Sequence, residues 1–310
     1  AAAELVHRYV PPTPQYHWPL LSRRLKCEVW VKHENHTPLG AFKLRGGIVY
    51  LDHLRRAHPH AVGLVAATRG NHGQSLAYAA RLFGMAAVIV VPEGNSTEKN
   101  AAMQALGAEL LVHGADFQEA LEYSSRLAEE RGLIAGPSFD PLLVKGVSSY
   151  ALELLRGMPQ PDFIYVPIGM GSGICGVLSA RDALGIKSKV VGVVSSSAPA
   201  YSLSFRQRKA IAHAVSTRIA DGMACRKPDE RALEMIWRGV DHIVEVSDAE
   251  VEAAMRAYFS ATHNVAEGAG AAALAAAMQE QQALAGKRIA VILSGGNVDR
   301  NVFARVISAE

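Results

Sequence analysis

Hydrophobic and polar positions come in blocks along this chain, and the blocks carry two different periods. Eight runs are almost continuously apolar: CEVWVKHE from Cys27, AVGLVAAT from Ala61, AAVIVVPE from Ala86, ELLVHG from Glu109, DFIYVPIG from Asp162, KVVGVVS from Lys189, HIVEVS from His242 and RIAVILSGG from Arg288. Continuous rather than alternating hydrophobicity marks strands covered on both faces. Among them lie GQSLAYAARLFG, EKNAAMQALGA, FQEALEYSSRLAEERG, CGVLSARDALG and DAEVEAAMRAYFSATHN, where apolar residues recur at three and four and several segments close on glycine. Strand and helix in this rhythm predict an α/β protein with mostly parallel sheets. No repeat, heptad or low-complexity linker interrupts the pattern, and composition marks no domain boundary.

Length and composition narrow the picture. A chain of 310 residues suffices for one large or two ordinary domains. Hydrophobic residues at 49% and charged residues at 20% exclude disordered and fibrous classes. A net charge of +3, with no basic block, gives no support to a nucleic-acid or membrane partner. Cys27, Cys175 and Cys225 are odd in number and widely spaced, which fits a reduced compartment better than a disulfide framework. The opening AAAELVHRYVPPTP lacks the basic start and apolar core of a signal peptide, and charges interrupt every apolar run before it could span a bilayer. The expectation is a soluble, cytoplasmic protein.

Candidate chemistry sits where strands meet helices, because helix N-termini offer free N–H groups and a positive dipole end. PIGMGSGICGV, Pro167 to Val177, follows a strand and precedes a helix. Gly169, Met170, Gly171, Ser172 and Gly173 form a turn that can wrap a phosphate with backbone amides. Read otherwise, Gly171, Gly173 and Gly176 satisfy a dinucleotide fingerprint, which requires an acid about twenty residues on. The next strand ends instead in Ser195, Ser196 and Ser197. ATRGNHGQS (Ala67 to Ser75) and SGGN (Ser294 to Asn297) are two further turns, each ordinary when taken singly. HENHTPLGAFKLRGG, from His33 to Gly47, carries Lys43 just after a turn and at the start of a helix. Burial and the positive dipole end would lower the pKa of an amine placed there, and a neutral amine is what Schiff-base chemistry needs.

Taken together, Lys43 in GAFKLRGG, Asn71 in RGNHGQ, the Gly169–Gly173 loop and Ser294 in SGGN occur in the order and spacing of the fold-type II pyridoxal-phosphate (PLP) enzymes. Within that group the chain resembles the serine/threonine dehydratases and serine racemases. The resemblance spans nearly the whole chain and adds TRIADGMA (Thr217 to Ala224) and EGAGAAALAA from Glu267. It implies a tryptophan-synthase-β-like fold of two doubly wound domains, a large one of residues 1–62 and 145–310 and a small mobile one of 63–144. It implies that Lys43 holds PLP as a Schiff base and later moves the substrate Cα proton. Phe42 and Gly222 would flank the cofactor ring, Asn71 would bond its 3-hydroxyl, and the amides of Gly169 to Gly173 would hold its phosphate. Ser294 would face the pyridine nitrogen, and a neutral partner there makes the ring a weaker electron sink that favours prompt loss of a β-leaving group. Thr68, Arg69, Asn71 and His72 would meet the substrate. The implied reaction is β-elimination of water from a β-hydroxy-α-amino acid such as L-threonine or L-serine, giving a 2-oxo acid and ammonia, in a homodimer.

The chain departs from the family in three places. Ala41 stands where a serine commonly precedes the Phe-Lys pair. Arg69 stands where serine racemases carry serine and threonine dehydratases often alanine; a permanently charged guanidinium is a poor proton shuttle, so little racemase activity is expected. Arg69 could instead meet a carboxylate, which keeps 3-hydroxyaspartate and β-aryl serines open as substrates. The strand KVVGVVS is followed by SSSAPAYS, with no carboxylate for a hard cation, so no metal site is expected. The chain ends soon after SGGNVDRNVFARVISAE, without the added regulatory domain of biosynthetic threonine dehydratases, which favours a catabolic or specialised enzyme. Cysteine-synthase-like β-replacement, a nicotinamide-dependent oxidoreductase and PLP binding without turnover remain the alternatives.

Overall fold

The computed structural model describes residues 1–309. The chain opens with α1 (Ala2–His7), β1 (Gln15–His17), α2 (Pro19–Leu25), β2 (Glu28–His33) and α3 (Lys43–Ala57). It continues through β3 (Gly63–Ala67), α4 (Asn71–Leu82), β4 (Ala86–Val91), α5 (Thr97–Ala105), β5 (Glu109–Val112), α6 (Phe117–Arg131) and β6 (Ile134–Ala135). Then come α7 (Pro141–Gly157), β7 (Phe163–Pro167), α8 (Ser172–Ala183), β8 (Lys189–Ser195), α9 (Ala200–Gln207) and α10 (Glu230–Gly239). The last elements are β9 (Val240–Val246), α11 (Asp248–Thr262), α12 (Gly268–Gln279), β10 (Arg288–Leu293) and α13 (Arg300–Ser308).

Two compact units result. The first comprises Ala1–Val10 and Lys43–Gly146, the second Pro11–Phe42 and Val147–Glu310. The first unit is built on a four-stranded parallel sheet in the order β5-β4-β3-β6. Leu64, Ala66, Ile89 and Val91 pack on one face with Leu51 of α3 and Leu76 of α4. Val65, Ala67, Val88 and Val90 pack on the other with Ala120 and Leu127 of α6. A strand whose alternate residues both find apolar cover must be apolar throughout, and this explains the unbroken GLVAA and AAVIVV runs. Local signals set the helix ends: Asp116 caps α6 by accepting from the Glu119 amide at 2.9 Å, and Gly132 closes it in the left-handed region.

The boundary of this unit differs from the one implied by the resemblance. It starts at Lys43 rather than near residue 63 and takes in the first ten residues. The physical reason is α3, which packs along α4 so closely that a methyl placed on Gly47 would stand 2.2 Å from Ser75 Oγ. That hydroxyl donates to the Lys43 carbonyl at 2.7 Å, and α1 packs on α3 in turn.

The second unit holds a six-stranded sheet in the order β1-β2-β10-β7-β8-β9, parallel except for the edge strand β1. Val29, Val31, Tyr165, Val191, Val193, Ile289, Val291 and Leu293 form its core with α11 and α12. A buried polar cluster ties β2 to α7. Lys32, fully buried, donates to Glu153 Oε2 at 2.6 Å and to the Thr13 carbonyl at 2.8 Å. Removing one member of such a pair strands a charge in the interior. Lys32→Ala is therefore expected to cost about 3–5 kcal/mol, whereas Lys32→Met combined with Glu153→Leu recovers most of that loss. Urea unfolding midpoints of the two variants check this.

Candidate active site

Helix α12 is the element from which the site in the second unit is built. Residues 268–277 are all buried, and the first of them are glycine and alanine. A methyl on Gly268 would stand 2.1 Å from the Ile219 carbonyl oxygen, and one on Gly270 would stand 2.1 Å from that of Gly295. Gly222 rests on Ala269, and Gly169 faces the Gly222 carbonyl with 2.3 Å available to a methyl. Backbone thus meets backbone along three seams, bringing together Gly169, Gly222 and Ser294. Ser294, 5% exposed, reaches the Ala269 carbonyl with its hydroxyl at a long 3.4 Å.

The loop Gly169–Gly173 leads from β7 into α8. Gly171 turns it at φ 98° and its carbonyl accepts from the Cys175 amide at 3.0 Å. Two tyrosines that the sequence did not single out hold the loop. Tyr201 donates its hydroxyl to the Met170 carbonyl at 2.9 Å, and Tyr150 donates to the Gly173 carbonyl at 3.2 Å. The only hint was their placement in the apolar stretches SSYALELL and SAPAYS. Gly176 has a different task. A methyl there would press on Val147 Cγ1 at 2.9 Å and on the Ser148 amide at 3.1 Å. It seats α8 on α7, a close-packing task that the third glycine of a dinucleotide fingerprint also has.

The segment before Lys43 is stitched to the turn after β10. The Phe42 amide donates to the Ser294 carbonyl at 3.1 Å, Ala41 bridges Gly295, and the Gly296 amide donates to the Gly40 carbonyl at 2.9 Å. Asn297 donates to the Leu39 carbonyl at 2.8 Å, and Thr37 bonds both the amide and the carbonyl of Ala41. The Phe42 ring lies 3.5 Å from where a side chain on Gly173 would begin and meets Tyr150 edge-on, centroids 6.1 Å apart. Lys43 follows Phe42 by one peptide, so its Cα is about 3.8 Å from that of Phe42. These groups suit a flat ring carrying a phosphate: amides without side chains, an aromatic face and a buried neutral hydroxyl.

In the first unit the turn from β3 to α4 carries Thr68, Arg69, Asn71 and His72. Thr68, 4% exposed, accepts from the Gly70 and Gly73 amides at 3.1 and 3.3 Å, which fixes the turn. His72 Nε2 donates to the Pro137 carbonyl at 2.9 Å, so the neutral ring carries its proton there. Desolvation, and next the positive charge of Lys43, hold this imidazole down at about 3. The Ser75 hydroxyl of α4, which donates to the Lys43 carbonyl at 2.7 Å, ties the start of α3 to this helix. Lys99, 6% exposed, lays its stem against Gly70. Arg69 is half-buried and makes no hydrogen bond or ion pair with the described residues. Among the described residues no three His, Cys, Asp or Glu side chains gather as a metal cluster. After β8, Ser195 caps its own turn by accepting from the Ser197 amide at 3.2 Å.

Known proteins share both the sequence and the fold. A family model described as "Pyridoxal-phosphate dependent enzyme" matches residues 6–295. The chain is 34% identical over 290 residues to an L-threonine ammonia-lyase of Thermotoga maritima, covering 93% of this chain and 72% of that protein. It is 33% identical over 308 residues to an L-threonine ammonia-lyase of Geobacter sulfurreducens, covering 99% and 76%. Among solved structures, the processed form of threonine deaminase isoform 2 from Solanum lycopersicum superposes with a TM-score of 0.91 at 28% identity, covering 98% of this chain and 90% of that one. Maize serine racemase gives 0.92 at 27%, covering 98% and 94%.

The neutral state of His72 is testable. Its ring is held at about 3 in the folded chain against an ordinary 6.5, so the unfolded chain takes the proton first. Stability from this group is full above about pH 6.5 and declines as pH falls toward 3. In NMR spectra the His72 ring resonances are expected to stay flat from pH 8 to about 4.5. Titration of that ring with a midpoint near 6.5 would contradict the assignment.

Proposed function

The chain belongs to the pyridoxal-phosphate-dependent enzymes, and from that membership we propose that it is an ammonia-lyase acting by β-elimination on a β-hydroxy-α-amino acid, L-threonine or L-serine. The observation that carries this reading is the Phe42–Lys43 step. Phe42 is bonded through its amide to Ser294 and packed by its ring on Gly173, and the next residue is the lysine. Two relatives named L-threonine ammonia-lyase, matched over more than nine-tenths of this chain, support the reaction class.

Lys43 would hold the cofactor through Nζ, with the Gly169–Gly173 amides on its phosphate, Phe42 and Gly222 on its ring faces, Asn71 on its hydroxyl and Ser294 at its ring nitrogen. What the bound cofactor supplies is a sink for the electrons released at the substrate Cα. The amine of Lys43, once displaced by substrate, takes the Cα proton at Nζ. Its own backbone holds it steady for this, because Ser75 Oγ grips the Lys43 carbonyl. Ser294 offers a hydroxyl rather than a carboxylate, which keeps the sink weak and suits expulsion of the β-hydroxyl over a long-lived carbanion. The hydroxyl leaves with a proton as water, and the released enamine becomes an imine. Water adds to that imine and ammonia departs, leaving the 2-oxo acid.

Neutral His72 fits this scheme, since a cation there would disfavour the ammonium that Lys43 becomes on taking the Cα proton. Thr68, Arg69, Asn71 and His72 are the proposed substrate contacts. Mobility of segment 63–144, a homodimeric state and a cytoplasmic location follow from the family likeness and belong to the same proposal. No helix among the described residues is long and apolar enough to cross a membrane. β-Replacement is the second reading, and incorporation of an added thiol into product would reveal it.

The purified protein is expected to show a visible absorption band of bound pyridoxal phosphate that Lys43→Ala lacks. Release of 2-oxo acid from L-threonine should fall in that variant by a factor of roughly 10² to 10⁴. No band even after the cofactor is added would overturn the assignment of Lys43 and the loops around it.

A further inference from the structure

The turn from β3 to α4 carries a guanidinium that the elimination chemistry does not use. Arg69 sits in it, next to Gly70, on which Lys99 packs its stem. No acidic residue lies between Ala67 and Ser75. Two other polar side chains of the turn are committed: Thr68 Oγ1 to the Gly70 and Gly73 amides, His72 Nε2 to the Pro137 carbonyl. The Arg69 guanidinium makes no hydrogen bond or ion pair among the described residues, although it is half-buried. A guanidinium partly withdrawn from water and given no carboxylate loses solvation without return. A planar fork of N–H donors is matched best by a carboxylate held bidentately.

The amide of His72, in the first turn of α4, has no acceptor among the described residues and is placed for the α-carboxylate that every amino-acid substrate brings. Arg69 is then surplus to a monocarboxylic substrate. We propose that Arg69 is a specificity-determining residue that selects a β-hydroxy-α-amino acid with a second carboxylate on its side chain, of which 3-hydroxyaspartate is the smallest. The inference rests on the elimination chemistry proposed above and names its substrate class. The atoms balance as for threonine. The Cα proton passes to Lys43 Nζ, and the Cβ–O bond breaks with the hydroxyl leaving as water. The enamine diacid then takes up water, loses ammonia and becomes a four-carbon 2-oxo diacid.

The test compares kcat/KM for L-threo- and L-erythro-3-hydroxyaspartate with that for L-threonine, in the wild-type holoenzyme and in Arg69→Ala and Arg69→Lys. Binding of the unreactive diacid meso-tartrate is measured by calorimetry in parallel. The wild type is expected to prefer a hydroxyaspartate by at least about tenfold. A charge-assisted bidentate contact is worth roughly a factor of 10 to 100, so the preference should shrink by that factor in Arg69→Ala. Arg69→Lys should fall between the two, and tartrate affinity should drop in step. A preference unchanged within about twofold in Arg69→Ala overturns the proposal, as does a wild type that favours L-threonine. Turnover of L-threonine without turnover of either hydroxyaspartate sinks this inference and leaves the elimination reading standing. No 2-oxo acid from any of the three, with the cofactor bound, sinks both.

Discussion

The close approach of bare backbone to bare backbone around α12 is the constraint on which the second unit's chemistry depends. Three carbonyl oxygens, those of Ile219, Gly222 and Gly295, occupy the space where side chains of Gly268, Gly169 and Gly270 would begin. Two of those glycines lie in the first turn of a helix, where each costs about 0.5–1 kcal/mol relative to alanine. The offset comes from the rest of α12, alanine and leucine buried as far as Ala277, whose packing against β7 and β10 is indifferent to what happens at its start. The arrangement fixes Ser294 through its main chain and leaves its hydroxyl only a long contact to the Ala269 carbonyl. A donor held loosely in this way can turn toward a ring nitrogen at little cost.

The two candidate loops use opposite electrostatics. Gly169–Gly173 contains no charged side chain; whatever anion it takes is held by amides and by the start of a twelve-residue helix. Such a cradle is rigid, because Tyr150 and Tyr201 pin its carbonyls, and it is insensitive to pH. The turn from β3 to α4 is cationic, and its one titratable ring is kept neutral. If His72 were protonated it would add a charge beside Lys43 and Arg69. Burial and the lysine both oppose that protonation, and the hydrogen bond to Pro137 is too weak an opposing term to restore it. The folding cost of a neutral buried histidine falls outside the neutral range, so the charge of this turn stays constant at neutral pH.

How much of this was legible in the sequence depended on the length of the signal. All eight apolar runs became strands, since a parallel strand covered on both faces leaves an unbroken apolar stretch. The three-residue β1 and two-residue β6 left none, and α2 and α9 are too short to show a period. Lys43, Asn71 and Ser294 were visible only through their order and spacing along the chain. Tyr150 and Tyr201 were not visible at all, because a tyrosine holding a distant carbonyl looks in sequence like any core aromatic. The edge of the first unit at Lys43 was hidden for a related reason. Nothing in KLRGGIVYLDHL announces its neighbour, and only the contact of Gly47 with Ser75 shows that α3 belongs with α4.

Gly171, Gly173 and Gly176 show why a glycine pattern cannot be read without the partner of each glycine. Gly171 is required by its φ of 98°. Gly173 keeps clear the space under the Phe42 ring, and Gly176 lets α8 lie against α7. The same three needs arise in a dinucleotide fingerprint, so the glycine pattern alone does not make this a dinucleotide site. The missing acid after β8 was the sequence-level sign of this, for a dinucleotide site requires a ribose partner and a phosphate monoester does not. Where the chain has serines in place of that acid, the ligand that fits has charge only at its phosphate end and a flat ring at the other. The stitched Phe42–Ser294 pair provides for that geometry.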